Sequence, residues 1–436
     1  MLSLLNTTFT TAVRKGVSVV NDLFKVLKAR STYYENEAAS KALVNKIKAD
    51  GLLDKASIIL TPTGYSDSSI HNVKPSSGGD MTLIQNGTTT RVNASGFVVS
   101  NTTDIPRIDY SKGEGAILSE AQSINQVRHS EDLTQSPWAG AGAFTSSVIM
   151  VNPTGNTGSV SNIFRYSAAS NAGRLQSAAA SSTGQGVGIS AWVYNPDGGT
   201  QTVWIGYGDA SSGNGSFHSV TNSWKRIEHI TSGGTFSEFH IAPAASSNLR
   251  VWGCQFEIGA LSGRNGKVTS YIPTASGSVT RVRDNYKDGG DASLIGAQEG
   301  VLYIESATFA DAGSKAIALS AANSAANRVV IFYSSTSNTI QGRVQASTST
   351  TIAINGTVTN NTDFNKIAFK YKTGDLALWI NGTEVATSTT AFSFNAALSE
   401  LAFDQGNGTL HMDGLVKQVI VFKEALSDAE LTALTS

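Results

Sequence analysis

Between residues 11 and 49 the apolar positions return every three or four residues; beyond residue 52 they alternate. In the first stretch Val13, Val17, Val20, Phe24 and Leu27 step by four and three. That is the spacing of a coiled-coil seam, and it predicts a helix. Val19, Leu23 and Val26 widen the stripe, and Ser31 interrupts it. A second helical piece, Ala38–Asp50, closes at Gly51, a residue suited to the C′ position. The seam runs for about two heptads, where a free-standing coiled coil shows three or four. Two uses stay open: a helix laid on its own domain, or an oligomerisation or docking helix. The second assigns Val13, Val17, Val20, Phe24 and Leu27 to the contact.

The alternating part opens with Ile58–Leu60, Met81–Ile84 and Thr88–Val92. The last two flank Asn86-Gly87, a hairpin signal. The stretch Thr88–Tyr110, TTTRVNASGFVVSNTTDIPRIDY, marks the change from helical to β character and reads as a coupling piece. Asn93-Ala94-Ser95-Gly96 supplies turn chemistry between two extended runs. Pro106 holds Ile105 extended, so Arg107–Tyr110 leaves as strand or linker. Short strands then follow at regular spacing: Asn162–Tyr166, Gly188–Tyr194, Gln201–Tyr207, Lys225–Ile230, Glu238–Ile241 and Leu249–Ile258. Asp197-Gly198-Gly199, Ser211–Gly215 and Ser232-Gly233-Gly234 separate them, which is the pattern of an antiparallel sandwich.

Residues 286–436 repeat the style, with Asn355-Gly356, Asn381-Gly382 and Asn407-Gly408 as turns. The end is a capping-box spacing, Ser427-Asp428-Ala429-Glu430, ahead of a short helix carrying Leu431 and Leu434. The expected fold class is mainly β: a short N-terminal helical segment followed by two antiparallel, jelly-roll-like β-sandwich domains. The expected boundaries are a helical attachment segment over 1–55, a small β coupling region over 56–115, and sandwiches over 116–285 and 286–436.

Composition narrows the function. Hydrophobic residues make up 40% of the 436 and charged residues 15%, so the surface is built from Ser, Thr, Asn and Gly, as on extracellular and virion β proteins. The net charge of −1 offers no field for nucleic acid or an anionic bilayer. No run reaches the ~20 apolar residues of a membrane helix. The first residues, MLSLLNTTFTTAVRKG, lack the layout of a signal peptide, which fits release by host lysis. The single cysteine, Cys254, excludes an intrachain disulfide and reads as a buried strand residue.

A search for chemistry yields little. The histidines at 71, 129, 218, 229, 240 and 411 lack HxH or HxxxH spacing, so no metal is expected. No nucleophile-elbow, P-loop or dinucleotide fingerprint is present, and no run sets paired carboxylates on one strand face for glycoside cleavage. No catalytic residue and no cofactor is expected. Among the six tryptophans, Trp138 and Trp204 are the least committed to a core by their neighbours and are the candidate sugar platforms. In Ser190–Tyr194, Trp192 and Tyr194 share one face, opposite Ile189, Ala191 and Val193.

The runs Thr90–Gly96, Ile105–Tyr110 and Ser130-Glu131-Asp132-Leu133 with Trp138 resemble virion structural proteins of tailed bacteriophages, of the head- or tail-fibre kind. Val251–Glu257, Thr269–Thr274 and Thr280-Arg281 look like the closing strands of their carbohydrate-binding-module-like jelly roll, with Cys254 where a small residue is usual and Leu261–Lys267 lengthening the link. Lys366–Tyr371, Gly374–Gly382 and Leu426–Leu431 are similar to laminin-G/concanavalin-like sandwiches. The resemblance implies a non-enzymatic virion protein that anchors by its N-terminus to capsid or tail proteins. It would act as a dimer or trimer and display its sandwiches for host-surface glycan adhesion. The alternatives are a polysaccharide depolymerase of a phage tail and a secreted cellular adhesin.

Overall fold

The computed structural model describes residues 19–169, 172–177, 186–207, 214–231, 238–259, 267–322, 324–347 and 351–436. The chain is mainly β and forms two compact units. The first contains Met1–Gln85, Asp104–Glu120 and Asp284–Ser436; the second contains Asn86–Thr103 and Ala121–Arg283. This division differs from the four consecutive segments expected. The N-terminal helices and the strands of the coupling region complete the fold of the last domain. The hairpin inside the coupling region belongs to the jelly roll.

In the first unit, a long antiparallel sheet runs in the order Asn285–Lys287, Met81–Ile84, Ser69–Lys74, Ala56–Ser66, Gly414–Phe422, Glu299–Thr308, Asn365–Lys372, Leu376–Ile380 and Thr383–Ser388. A five-stranded sheet faces it, in the order Thr351–Thr357, Thr339–Gln345, Arg328–Tyr333, Lys315–Ser320 and Glu400–Ala402. Leu302, Ile304, Val419 and Val421 point into the core between them, against Ile317, Leu319, Val329, Ile331 and Val344. The alternate residues Val301, Tyr303, Ile420 and Phe422 are equally buried on the far side of the long sheet. Helices α1 (Val19–Arg30), α2 (Glu37–Ala49) and α3 (Asp428–Thr435) cover that side. A strand buried on both faces reads as a continuous apolar run, as Val301–Ile304 does within Glu299–Thr308.

The docking seam is therefore corrected. Val20, Phe24 and Leu27 are 0–1% exposed and sit in the core under α1, so they present no surface to a partner. Val13 and Val17 lie outside the described residues. Gly64 permits the approach of α1: a Cβ there would stand 2.8 Å from Leu27 Cγ. At the end of α1, Arg30 pairs with Asp80, whose Oδ2 also meets His71 Nδ1 at 2.9 Å. The capping box of α3 is present, with Ser427 N–H donating to Glu430 Oε2 at 3.0 Å.

Two turn expectations need the same treatment. Asn86-Gly87 closes no hairpin. Met81–Ile84 pairs with Ser69–Lys74 and Asn285–Lys287, while Thr89–Val92 pairs with Val98–Asn101. The turn between the latter two is the Asn93–Gly96 cluster: Asn93 Oδ1 accepts the N–H groups of Ser95 and Phe97, and Gly96 takes φ +80°. Asn355-Gly356 lies inside the strand Thr351–Thr357, whereas Asn381-Gly382 does turn between Leu376–Ile380 and Thr383–Ser388.

Arg107, from the Ile105–Tyr110 run, clamps the second segment of the first unit to the third. It is 1% exposed and donates to Glu120 Oε2 at 2.8 Å and to Asp284 Oδ2. Asp284 Oδ2 also accepts Glu120 N–H at 2.8 Å. One buried guanidinium thus neutralises a carboxylate at the far end of its own segment and another at the start of the last segment.

The second unit is a sandwich of two antiparallel five-stranded sheets. One contains Ala139–Ala141, Gly173–Ser177, Glu238–Ala242, Gln201–Gly206 and Gly215–Val220; the other contains Ala143–Val151, Thr157–Arg165, Ser247–Ile258, Val187–Tyr194 and Lys225–Thr231. Ile163, Ile189, Ala191, Val193, Val203, Ile205, Phe239, Ile241, Leu249 and Val251 fill the space between, together with Cys254. The turns expected at Ser211–Gly213 and Ser232–Gly234, and the link from Leu261 to Gly266, lie outside the described residues.

Candidate functional site

The two tryptophans singled out from the sequence are not platforms. Trp138 is 6% exposed, its Nε1–H is shared by the carbonyls of Arg128 and His129, and its ring meets Phe239 edge-on at 5.5 Å. Trp204 is 2% exposed and packs edge-on to His240 at 5.1 Å. Gly206 and Gly215 make the well for its ring, since a Cβ on either would come within 2.5 Å of it. Their sequence surroundings are the least committed to a core. The glycines instead leave room for the indole.

The exposed aromatic face lies on the other sheet. Alternation along Val187–Tyr194 sends Ile189, Ala191 and Val193 inward and Trp192 and Tyr194 outward. Cross-strand register aligns the outward positions into rows. Tyr194 stands opposite Arg250, Arg250 opposite Asn162, and Asn162 opposite Ser146. Trp224 extends this row, its ring centroid 5.7 Å from that of Tyr194 and its Nε1–H held by Val151 O at 2.8 Å. Five such positions span about 19 Å at the ~4.8 Å spacing of strands. On one side a second row, Trp252, Trp192 and Arg226, lies parallel. Arg226 covers the Trp192 ring at 4.7 Å, and Trp252 is buried with Tyr271 and Val98. On the other side come Phe144, 63% exposed, Phe164 and Asn248, which Asp197 fixes through Nδ2 at 2.9 Å and through its backbone N–H at 2.7 Å.

This face joins half-buried rings to fixed polar groups. Arg250 donates to Asn162 Oδ1. Flat rings bordered by oriented amide, guanidinium and carboxylate groups suit a ligand with both apolar CH faces and hydroxyl edges. The sequence signal was present in Leu249–Trp252. Leu249 and Val251 point to the core, so Arg250 and Trp252 must point away.

The motifs that carried the sequence resemblance are framework. Ser130 Oγ meets Tyr271 OH at 2.7 Å and accepts Thr274 N–H at 2.9 Å. Asn125 Nδ2 donates to the carbonyls of Cys254 and Ile272, and Ile272 N–H donates to Gln255 Oε1 at 2.7 Å. Buried Glu257 accepts from Ser123 and from both the N–H and hydroxyl of Thr269. These bonds fasten the 267–274 segment over the sheet.

One cluster has the order of a nucleophilic triad. His71 Nε2 is 3.2 Å from Ser66 Oγ, and His71 Nδ1 faces Asp80. Its wiring is structural. Ser66 Oγ accepts Thr32 N–H at 2.7 Å and donates to Arg30 O, while the Arg30 side chain occupies Asp80. The hydroxyl is thereby used to hold the chain leaving α1. Among the described residues no group of three metal-ligating side chains converges.

These two units define a mainly β protein of sandwich domains. Residues 303–432 match the family model described as the Concanavalin A-like lectin/glucanases superfamily, within the first unit. No curated protein matches the chain. Among solved structures it is similar to the CBM40 of Ruminococcus gnavus IT-sialidase bound to α2,3-sialyllactose (17% identity over 33% of this chain and 86% of that one, TM-score 0.29). It is also similar to domain 4 of a GH43 extracellular arabinanase from Geobacillus stearothermophilus in complex with arabinotriose (14% identity, 40% and 84%, TM-score 0.29). A third is a heptameric SAP-like pentraxin from Limulus polyphemus (13% identity, 32% and 70%, TM-score 0.27). Each likeness is partial and of fold alone.

Proposed function

We propose that the protein is a non-enzymatic glycan-binding component of a phage particle, and that the outer face of the second unit is its adhesive surface. The observation that carries the reading is the row Asn162, Arg250, Tyr194 and Trp224, with aromatic and polar groups in register on a sheet face that is only partly covered. The lectin superfamily match over 303–432 supports saccharide binding in the first unit as well. The particle assignment comes from the resemblance of the Thr90–Gly96, Ile105–Tyr110 and Ser130–Leu133 runs to virion fibre proteins. Weak single sites suffice on a particle, because several engaged together gain ~10²–10⁴ in avidity.

The test is a glycan array probed with the full chain presented multivalently, alongside mass spectrometry of purified particles. Binding to a defined set of glycans and presence in particles are expected. A blank array at high valency rejects adhesion, and absence from particles rejects the virion assignment. Because the matched superfamily also covers glucanases, host polysaccharide incubated with the protein should release no new reducing ends.

A further inference from the structure

The five-stranded sheet of the first unit carries two arginines on its outer face that form no ion pair among the described residues. Arg328 lies on the strand Arg328–Tyr333 and Arg343 on Thr339–Gln345. Register sets Arg328 opposite Gln345 and Val330 opposite Arg343, so the two are diagonal neighbours on one face. The intervening Val329, Ile331 and Val344 point the other way, into the core.

Both side chains are held in place. Arg343 lies over the Phe332 ring at 4.4 Å and donates through Nη2 to Gln341 Oε1 at 2.7 Å. Arg328, 8% exposed, donates through Nη1 to Gln405 O at 3.0 Å. Among the described residues neither forms an ion pair. Arg328 Nη2 and Arg343 Nη1 have no protein acceptor, yet they are not among the side-chain atoms sealed from solvent. The carboxylate acting on Arg328 is Asp404, whose Oδ1 is already engaged by Gly406 N–H at 2.5 Å. Burial lowers both guanidinium pKa values, and for Arg328 the charge of Arg343 lowers it further.

Two partly desolvated like charges side by side are unfavourable unless something anionic completes them. Their planar forks match a carboxylate or a sulfate, and the Phe332 stack fixes one of the forks in advance. The adjoining edge strand offers exposed Ala353 and Asn355, which leave room for the ring bearing the anion, and Gln341 has an amide NH₂ free to donate. We infer that Arg328 and Arg343 form a binding site for the acidic group, carboxylate or sulfate, of a charged saccharide. That the anion is borne by a saccharide rests on the proposed glycan-binding function; the anion site rests on the arginines alone and is independent of the second unit's aromatic face.

The test titrates the full chain with methyl glucuronoside, glucose 6-sulfate, methyl glucoside and inorganic sulfate, with wild type compared to R343Q and R343K. Both acidic sugars, or one of them, should bind in preference to the neutral glucoside. R343Q should weaken that binding at least tenfold, with R343K between the two. Raising salt from about 0.05 to 0.5 M should weaken it too, because screening shortens the reach of the charges. Equal binding of acidic and neutral sugars overturns the inference, as does unchanged binding in a folded R343Q. Should R343Q fail to fold, R343K and the salt series carry the test. Arginine-dependent binding of inorganic sulfate with no acidic sugar bound leaves the anion site and rejects the saccharide. A failure here leaves neutral-glycan adhesion by the second unit untouched.

Discussion

The long sheet of the first unit and the Val187–Tyr194 sheet of the second meet the same problem differently. Each has one face in a sandwich core. In the first unit the other face is apolar, with Val301, Tyr303, Ile420 and Phe422, and three helices seal it. In the second the other face carries Tyr194, Trp224, Arg250 and Asn162, and among the described residues no helix of the unit covers it. A buried second face is a matter of stability. A second face only partly covered, by Val98 and Tyr271, and built from half-buried rings and paired polar groups where Ser or Thr would serve solubility, is a matter of contact. Substitutions on the two faces should therefore separate folding from binding.

The largest effect belongs to the clamp of the first unit. Arg107→Met leaves Glu120 and Asp284 buried without their shared cation, and should cost about 3–5 kcal/mol. Hydrogen-exchange mass spectrometry of peptides from 104–120 and 284–308 would read this as lost protection, with peptides of the second unit unchanged. Loss spread evenly over both units would break the comparison.

Phe24→Ala comes next. The ring is 1% exposed between α1 and the long sheet, and a buried Phe→Ala change costs about 3–5 kcal/mol. The sequence alone offered a different expectation for this position, a charge-sensitive oligomer seam. Sedimentation decides between them: a folded Phe24→Asp protein of reduced mass would restore the seam, whereas a destabilised protein of unchanged mass supports the core.

Asp80→Asn is smaller and pH-dependent. Burial alone would raise the Asp80 carboxyl, but hydrogen bonds from His71, Arg30 and Asn72 N–H hold it below its ordinary value of 3.8. The folded state therefore takes up this proton later on acidification than the unfolded state does. Its contribution is complete above the unfolded pKa and drains away as pH falls through the folded one. At pH 7 Asp80→Asn should cost about 1.5–3 kcal/mol, the worth of charge-assisted bonds. Part of the acid sensitivity below about pH 4 should go with it. An acid transition identical in wild type and variant would show that the Arg30–Asp80–His71 brace does not hold α1.

The fold was legible wherever local chemistry decides the outcome. Period-two runs became strands, the Asn93–Gly96 cluster became a turn, and Ser427–Glu430 became a helix cap. The helical stripe of α1 was also correctly placed, but periodicity states only that a face is covered. It does not state by what, and here Ile59, Val73 and Ile420 of the same unit cover it. The segment boundaries were hidden for a related reason: Arg107, Glu120 and Asp284 meet through space across 177 residues of chain. At the candidate site, sequence surroundings were a poor guide for Trp138 and Trp204, because their wells are made by residues distant in sequence or by glycines. Strand parity was the better guide. It had already set Trp192 and Tyr194 on one face, and applied to Leu249–Trp252 it also yields Arg250.

Tyr194→Ala should have the smallest effect on stability and the most informative effect on function. The ring is half-buried against Trp224, and its loss should cost no more than about 1 kcal/mol in a thermal melt. Arg250 keeps its bond to Asn162, and the inward neighbours Ile189, Ala191 and Val193 are untouched. Binding to whichever glycan the array selects should nevertheless fall at least tenfold, about 1.4 kcal/mol, because the platform in the middle of the row is gone. Trp204→Ala is the counterpart: an indole of similar size and polarity, 2% exposed, whose removal should unfold the second unit before it alters any contact with glycan. If Tyr194→Ala instead melted the unit while sparing affinity, the open face would be one more core surface, and the distinction between the two sheets would fail.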